Sequence, residues 1–260
     1  MSRTALVIGI GAGDPGHVTI GAVEAMREAD AFFVLDKANA SSLTGIRQEI
    51  VSRHAPGTEL VLVPDPPRDR SAESGASRSD GAYAANVDAW HDARAHALAT
   101  AIAEHVPAGG RAGFLVWGDP SLYDSTLRVL ERVARILPIV PRVIPGITSV
   151  QALTAAHAIL LNRVGEPIHI TTGRRLANEG FSDGAGGNTV VMLDADCTFR
   201  QTAQPTDHIY WGAYLGTPEE ILIDGTVGEV GDLIVRTRAQ ARERHGWIMD
   251  IYLLRRPAIE

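Results

Sequence analysis

Short, unbroken apolar runs alternate along the chain with longer stretches in which apolar residues recur every three or four positions. Residues 4–10 (TALVIGI) form the first run. It is apolar on both faces of an extended chain, as in a strand buried within a parallel sheet. Residues 11–16 break it with three glycines and a proline. Residues 18–29 then have helical spacing, with Thr19 placed to cap them. Residues 31–35 (AFFVL) are a second buried strand, and the order strand, loop, helix, strand predicts a parallel sheet. Residues 60–63, 113–117 and 141–144 predict three more strands. Helices are predicted over 84–105, 122–137 and 148–156. Residues 64–82, rich in Pro, Arg, Ser, Asp and Gly, read as a loop or linker.

Beyond residue 143 the character changes. Strands are predicted over 168–171, 189–193, 208–211 and 247–254, helical segments over 219–223 and 236–244, and a turn over 184–188. The pattern predicts an α/β protein of two domains, 1–143 and 144–260. The first has a mixed, largely parallel sheet, and the cleft between the halves is the default ligand site.

Composition narrows the class. With 45% hydrophobic and 21% charged residues, the chain reads as a globular protein with a real core. The first apolar run is too short for a signal segment or a membrane span, so a cytoplasmic protein without membrane association is expected. A net charge of −7 argues against a nucleic-acid partner, which calls for a basic face. The single cysteine, Cys197, cannot form an internal disulfide. No CxxC or HExxH pattern occurs, and His91 and His96 do not share a helical face, so no metal site is expected. All basic residues except Lys37 are arginines, whose forked guanidinium suits carboxylates.

The candidate chemistry sits where apolar runs end in glycine. The first such place is Gly9-x-Gly11-x-Gly13-Asp14-Pro15. Residues 11–16 also fit GxGxxG, and Asp36 ends the second strand, where a dinucleotide-binding fold places its ribose-binding acid. A nicotinamide-dependent dehydrogenase is therefore a rival reading. Pro15 opposes it, because a pyrophosphate needs free amides at the helix start and proline lacks one. A tight turn needing glycine at positive φ is a third reading. The second place is Trp117-Gly-Asp-Pro-Ser-Leu-Tyr123. Gly118 lets a ligand approach the backbone, and Asp119 either accepts from a cationic ammonium or caps a helix begun at Pro120. The third is Val143-Ile-Pro-Gly-Ile-Thr-Ser-Val150, whose hydroxyls serve a ligand or an N-cap. Arg68, Arg70, Tyr83, Trp90, His91 and Arg94 form either a substrate-facing cluster or a solvated helix face and loop. The strings Trp211-Gly-Ala-Tyr-Leu-Gly-Thr-Pro218 and Gly246-Trp-Ile-Met-Asp-Ile-Tyr-Leu-Leu-Arg-Arg256 read as core strands and a turn.

In their order and spacing, the GxGxGDP, GDPS and PGITS strings resemble the tetrapyrrole (precorrin) methylase family, and the likeness covers essentially the whole chain. Further strings narrow it: Phe32-Phe-Val-Leu-Asp-Lys37, Asp65-Pro-Pro-Arg-Asp-Arg70, Val87-x-x-Trp-His-x-x-Arg94, Thr171-Thr-Gly-Arg-Arg175, Val191-Met-Leu-Asp194, Trp211-Gly-Ala-Tyr-Leu-Gly216 and Gly246-Trp-Ile-Met-Asp250. These are similar to the members that methylate precorrin-5 at C-1, release acetate and form precorrin-6A. Another methylation of the same pathway is an alternative. The resemblance implies two αβα domains, S-adenosylmethionine in the cleft between them, S-adenosylhomocysteine as its product, and a homodimer. It implies cofactor contacts from Gly118, Asp119, Ser121 and Leu122, from Thr148 and Ser149, and from Met192, Leu193, Ala213, Tyr214, Gly246 and Trp247. It puts Gly11, Gly13 and Asp14 on the tetrapyrrole, not on a nucleotide. Lys37, Arg68, Arg70 and Arg94 are natural partners for that polycarboxylate substrate, acting through a local field in an acidic protein. Asp14, Asp36 and His91 are the candidates for the base that deacetylation needs. A non-catalytic ligand-binding protein is the remaining class.

Overall fold

The computed structural model describes residues 1–36, 41–67, 80–181 and 187–257. The chain divides into two compact units, Met1–Gly11 with Pro15–Ile147, and Ala12–Asp14 with Thr148–Glu260.

In the first unit, β1 (Arg3–Gly9), β2 (Ala31–Asp36), β3 (Glu59–Pro64), β4 (Arg111–Val116) and β5 (Ile139–Ile144) form one sheet in the order β3-β2-β4-β1-β5. Every strand pairing in it is parallel, so the sheet is not mixed as the sequence reading expects. Parallel neighbours need crossovers, and α1 (Ile20–Arg27), α2 (Ser41–His54), α3 (Asp80–His105) and α4 (Thr126–Val133) supply them. Ala5, Val7, Ala31, Phe33 and Phe114 belong to one apolar cluster, while Leu6, Ile8, Phe32 and Leu115 belong to another. Alternate residues of one strand thus enter two cores, which is why TALVIGI and AFFVL have no polar face. The strand order also bears on function. β4 lies between β1 and β2, whereas a dinucleotide-binding fold sets its first two strands side by side.

The second sheet has the order β6-β7-β10-β8-β9, built from β6 (His169–Thr172), β7 (Asn188–Met192), β8 (His208–Ala213), β9 (Ile221–Thr226) and β10 (Asp250–Arg255). β6 runs parallel to β7, and β10 runs antiparallel to both β7 and β8. The carboxyl ends of β6, β7 and β8 and the amino end of β10 therefore share one edge. Helices α5 (Ser149–Ala156), α6 (Gly173–Glu179), α7 (Phe199–Thr202) and α8 (Val227–His245) complete this unit. Phe199, Trp211, Ile234 and Tyr252 are among its fully buried side chains.

Helices α2, α6 and α7 are not among the predicted elements, and α4, β9 and α8 differ from expectation. α4 begins at Thr126, not at residue 122, because Asp124 Oδ1 accepts the Thr126 amide at 2.6 Å. Tyr123 just before it has φ 53°, a left-handed residue that a helix cannot contain. Residues 219–223, read as helical, instead lead into β9, where Ile221 pairs with Ala213 and Ile223 with Trp211. A short apolar run looks alike in either state. α8 starts at Val227, well before residue 236, since Thr226 and Glu229 form a capping box.

One buried ion pair ties α3 to the segment after β3. Arg94 donates from Nε to Asp65 Oδ1 at 2.7 Å and from Nη2 to Oδ2 at 2.5 Å. Its guanidinium lies 3.4 Å from the Trp90 ring centroid, and Trp90 Nε1 donates to the Pro66 carbonyl at 2.9 Å. Both charged side chains are less than one-tenth exposed. Breaking such a pair from one side leaves a buried charge uncompensated, which costs about 3–5 kcal/mol. Arg94→Ala is expected to lower the unfolding free energy by about 3 kcal/mol, as read from urea denaturation. A loss below about 1 kcal/mol would mean that Asp65 does not depend on Arg94.

Candidate active site

β1, β4 and β5 are adjacent and parallel, so the three glycine-bearing turns that follow them leave the same edge of the sheet. They pack backbone against backbone. A Cβ on Gly9 would lie 2.6 Å from the Gly146 nitrogen and 2.7 Å from the Gly118 oxygen. On Gly146 it would lie 2.2 Å from the Gly118 oxygen. No side chain fits at either position. Gly11 and Gly118, at φ 85° and 63°, exchange backbone hydrogen bonds: the Gly118 amide donates to the Gly11 carbonyl at 2.8 Å, and the Gly11 amide returns one at 3.4 Å.

Asp119 closes this arrangement. Its Oδ1 accepts from the Ser121 amide at 2.8 Å and from Ser121 Oγ at 2.5 Å, while Oδ2 accepts from the Gly146 amide at 2.9 Å. The residue is therefore not a helix cap; it joins the GDPS turn to the PGITS turn. Burial alone would raise its pKa, but the Ser121 and Gly146 hydrogen bonds outweigh it and hold the carboxyl below its ordinary value. Its contribution to stability is thus complete above the ordinary carboxylate range. It is lost only as the pH falls through the depressed folded value. An ionised carboxylate offers about four acceptor positions. Three are filled by described residues, which leaves Oδ2 able to take one further donor. Thr148 is the N-cap of α5, accepting from the Val150 amide at 3.1 Å in a capping box with Gln151. Ser149 is the first residue of that helix.

The glycine loop does not form a nucleotide cradle. Ala12–Asp14 groups with the second unit, where a Cβ on Gly13 would meet the Leu215 carbonyl at 2.5 Å. Pro15–His17 is a separate 3₁₀ turn, and Thr19 caps α1 by accepting the Ala22 amide at 3.1 Å. The loop amides therefore do not open a helix as phosphate binding requires. Asp14 is exposed, and so is Asp36, at the carboxyl end of β2. Lys37, Arg68 and Arg70 lie outside the described residues. The guanidinium of Arg94 is already matched by Asp65, so the structure gives it a partner inside the protein. His91 is buried, with its ring stacked on Trp90 at 5.4 Å. Burial and the charges of Arg132, Arg94 and Arg128, opposed by Asp88, hold its pKa below the ordinary histidine value. The shift favours the neutral imidazole.

The edge of the second sheet gathers the other residues of interest. Met192 pairs with Ile251 and Ala213 with Asp250, which sets Met192, Leu193, Ala213 and Tyr214 along one edge. Leu193 and Tyr214 are both left-handed, at φ 53° and 51°. Such backbone is uncommon outside glycine and clusters at functional sites. The Tyr214 amide donates to the Met249 carbonyl at 3.0 Å and its hydroxyl to the Trp247 carbonyl at 2.6 Å. Gly246 ends α8 in the left-handed conformation that a helix C-terminus favours. A cavity of ≈ 550 Å³ opens beside it, lined in part by Cys197, Arg200, Arg238 and Arg242. Sequence reasoning did not find this cavity, nor Arg238, which no local pattern marks. Among the described residues, no group of three or more His, Cys, Asp or Glu can hold a metal, and no helix is long and apolar enough to cross a membrane.

A parallel sheet ending in interlocked glycine turns, and a second sheet with left-handed backbone at one edge, define an α/β protein whose turns stand at the strand ends where such folds place ligands. The chain belongs to the tetrapyrrole (corrin/porphyrin) methylases, whose family model matches residues 5–231. Members of that family are S-adenosylmethionine-dependent methyltransferases. The chain is 45% identical over 259 residues to a deacetylating precorrin-6A synthase from Sinorhizobium sp., covering 98% of this chain and 96% of that protein. A solved cobalamin synthesis related protein from Corynebacterium diphtheriae is 45% identical with a TM-score of 0.84, covering 98% of this chain and 99% of that one. A uroporphyrin-III C-methyltransferase from Thermus thermophilus, solved with S-adenosylhomocysteine, shares the fold at 16% identity and a TM-score of 0.53, covering 96% of each chain.

The interlock makes a direct prediction. Gly146→Ala is expected to destabilise the protein by at least about 2 kcal/mol, because two backbones must separate to admit a methyl group. Gly21→Ala, where nothing lies within 4 Å, is expected to be neutral or slightly stabilising. Urea unfolding of both variants checks this; equal midpoints would show that the glycine turns have room to spare.

Proposed function

We propose that this protein methylates precorrin-5 at C-1 and releases the extruded two-carbon fragment as acetate, acting as a deacetylating precorrin-6A synthase. The observation that carries the reading is the 45% identity to such an enzyme across nearly the whole of both chains. S-adenosylmethionine supplies the methyl group, already activated on a sulfonium. The protein's task is to align that methyl with the ring carbon and to keep water from it. The open acceptor position on Asp119 suits the ammonium of the cofactor, with Gly118, Ser121 and Leu122 around it. The hydroxyls of Thr148 and Ser149 serve the same ligand. Met192, Leu193, Ala213, Tyr214, Gly246 and Trp247 contribute its remaining contacts, and the left-handed backbone at Leu193 and Tyr214 supports that assignment.

Gly11, Gly13 and Asp14 face the tetrapyrrole, with Lys37, Arg68 and Arg70 for its carboxylates. Arg94 acts on the substrate side indirectly, by holding Asp65 in place. Deacetylation needs a base to take a proton from water. Asp14 is our first choice because it is exposed on the glycine loop, followed by Asp36. His91 is neutral enough to accept a proton, but its burial against Trp90 puts it third. We place the protein in the cytoplasm as a homodimer. Leu160, Val164 and Ile170, exposed in and before edge strand β6, offer apolar surface to a second copy.

The central test is mass spectrometry of the product formed from precorrin-5 and S-adenosylmethionine, with acetate measured in parallel. A methylated product with one acetate per turnover is expected. Methylation without acetate would assign the protein to another step of the same pathway. In the same assay, Asp14→Ala is expected to cut turnover at least about a hundredfold while leaving S-adenosylhomocysteine affinity within about threefold. A variant that melts normally yet loses the cofactor would put the two ligands on the opposite loops.

Asp119→Asn is expected to weaken S-adenosylhomocysteine binding about tenfold or more, or about 1.4 kcal/mol, because a charged acceptor is lost. Asparagine still offers its carbonyl oxygen to the surrounding donors, so the turn itself survives. Unchanged affinity by calorimetry would mean that Asp119 serves the turns alone.

A further inference from the structure

At the edge of the second sheet lies a hydrogen-bonded set of charges, Asp194, Arg238 and Asp250, that the assigned contacts do not include. We propose that Arg238 is a positioning residue for the cofactor: its forked guanidinium fixes the backbone on which left-handed Leu193 and Tyr214 stand. The inference rests on the reading above that S-adenosylmethionine is the cofactor.

α8 delivers Arg238 beneath two segments at once. Nε donates to Asp250 Oδ2 at 2.8 Å and Nη2 to Asp250 Oδ1 at 3.3 Å. Nη2 also donates to the Asp194 carbonyl at 2.9 Å, and Nη1 to the Ala195 carbonyl at 3.2 Å. One planar group thus clamps the amino end of β10 to the loop that leaves β7. One clamped residue adjoins a left-handed one, and another is linked to the second through a neighbour. Asp194 follows Leu193 directly. Asp250 follows Met249, whose carbonyl accepts the Tyr214 amide.

The clamp is itself held. Asp250 Oδ2 accepts from Trp211 Nε1 at 3.1 Å. The Asp194 carboxylate accepts from the Tyr252 hydroxyl at 2.7 Å and from the Thr198 amide and hydroxyl at 2.7 and 2.9 Å. A Cβ on Gly173 would come within 2.5 Å of Asp194 Oδ1, so α6 closes over that carboxylate. Leu193 is 67% exposed, so the packing of its own side chain does not account for its backbone. Strained backbone persists only where its surroundings over-determine it, and here the surroundings are the Arg238 fork. Ligand contacts built on such preorganised backbone bind without first having to order it.

A purely structural ion pair is the competing explanation, and lysine separates the two. Lysine restores a positive charge opposite Asp250 but lacks the planar fork that reaches two carbonyls as well. We expect Arg238→Lys to melt within a few degrees of wild type while its S-adenosylhomocysteine dissociation constant, by calorimetry, rises about tenfold or more. The KM for S-adenosylmethionine should rise in step, and that for the tetrapyrrole should stay within about twofold. Wild-type cofactor affinity in Arg238→Lys would overturn the proposal. So would equal losses of affinity for both ligands, which would indicate general loosening. Should Arg238→Lys fail to fold, Asp250→Glu keeps both charges but shifts the carboxylate by one methylene and draws the fork off the carbonyls. We expect it to weaken S-adenosylhomocysteine at least about threefold, and unchanged affinity there would overturn the proposal equally. Wild-type protein that binds no S-adenosylhomocysteine would instead remove the cofactor reading, and this inference with it.

Discussion

At the carboxyl edge of the first sheet, three chain segments approach so closely that no Cβ is admitted between them. A Cβ on Gly9 or Gly146 would strike the other's backbone and the Gly118 carbonyl. The approach follows from strand order: β1 lies between β4 and β5, so the turns after all three have nowhere else to go. Close packing there leaves Asp119 within reach of the Gly146 amide, and one carboxylate then joins two turns that are far apart in sequence. The three glycine motifs are one feature. Each is legible separately, but they are necessary only together.

The second sheet solves a similar problem by different means. Its edge must also hold backbone in a fixed, unfavourable shape, yet Leu193 and Tyr214 carry side chains and cannot relax as glycine does. An ionic set of Asp194, Arg238 and Asp250, hydrogen-bonded to both the β7 loop and the start of β10, lies at that edge. Burial pushes the Asp250 carboxyl up, while Arg238 and Trp211 pull it back. Such a network is stable only when every member is satisfied. Of its charged members, Arg238 donates to both neighbouring segments and Asp194 accepts from three residues' groups beneath the edge.

Not every arginine of this acidic chain is open to solvent. Several are consumed internally: Arg94 by Asp65, Arg238 by Asp250, Arg142 by Glu28 and Arg132 by Asp88 and Asp92. The planar fork suits these roles because it satisfies two acceptors at once. An arginine-rich string in the sequence therefore does not show which guanidinium already has a partner inside the protein. Arg94 shows this: its place beside Trp90 and His91 suggests a binding face, and the fold spends it on a buried carboxylate.

By itself the sequence determined the class of fold, the strands of the first sheet and the three glycine turns. Each of these depends on local chemistry: two-sided apolar runs mark buried parallel strands, and glycine marks backbone that must pass where a side chain cannot. α2 is not legible because its apolar positions form only a weak stripe, and the five residues 219–223, which lead into β9, read as helical because so short a run carries no period. Only the tertiary structure decided that Asp119 bonds to Gly146 and that Arg94 is spoken for. It likewise decided that Arg238 reaches the Asp194 and Ala195 carbonyls. Those pairings join residues dozens of positions apart, and a side chain's partner is set by what the fold brings within about 3 Å of it, which no local pattern records.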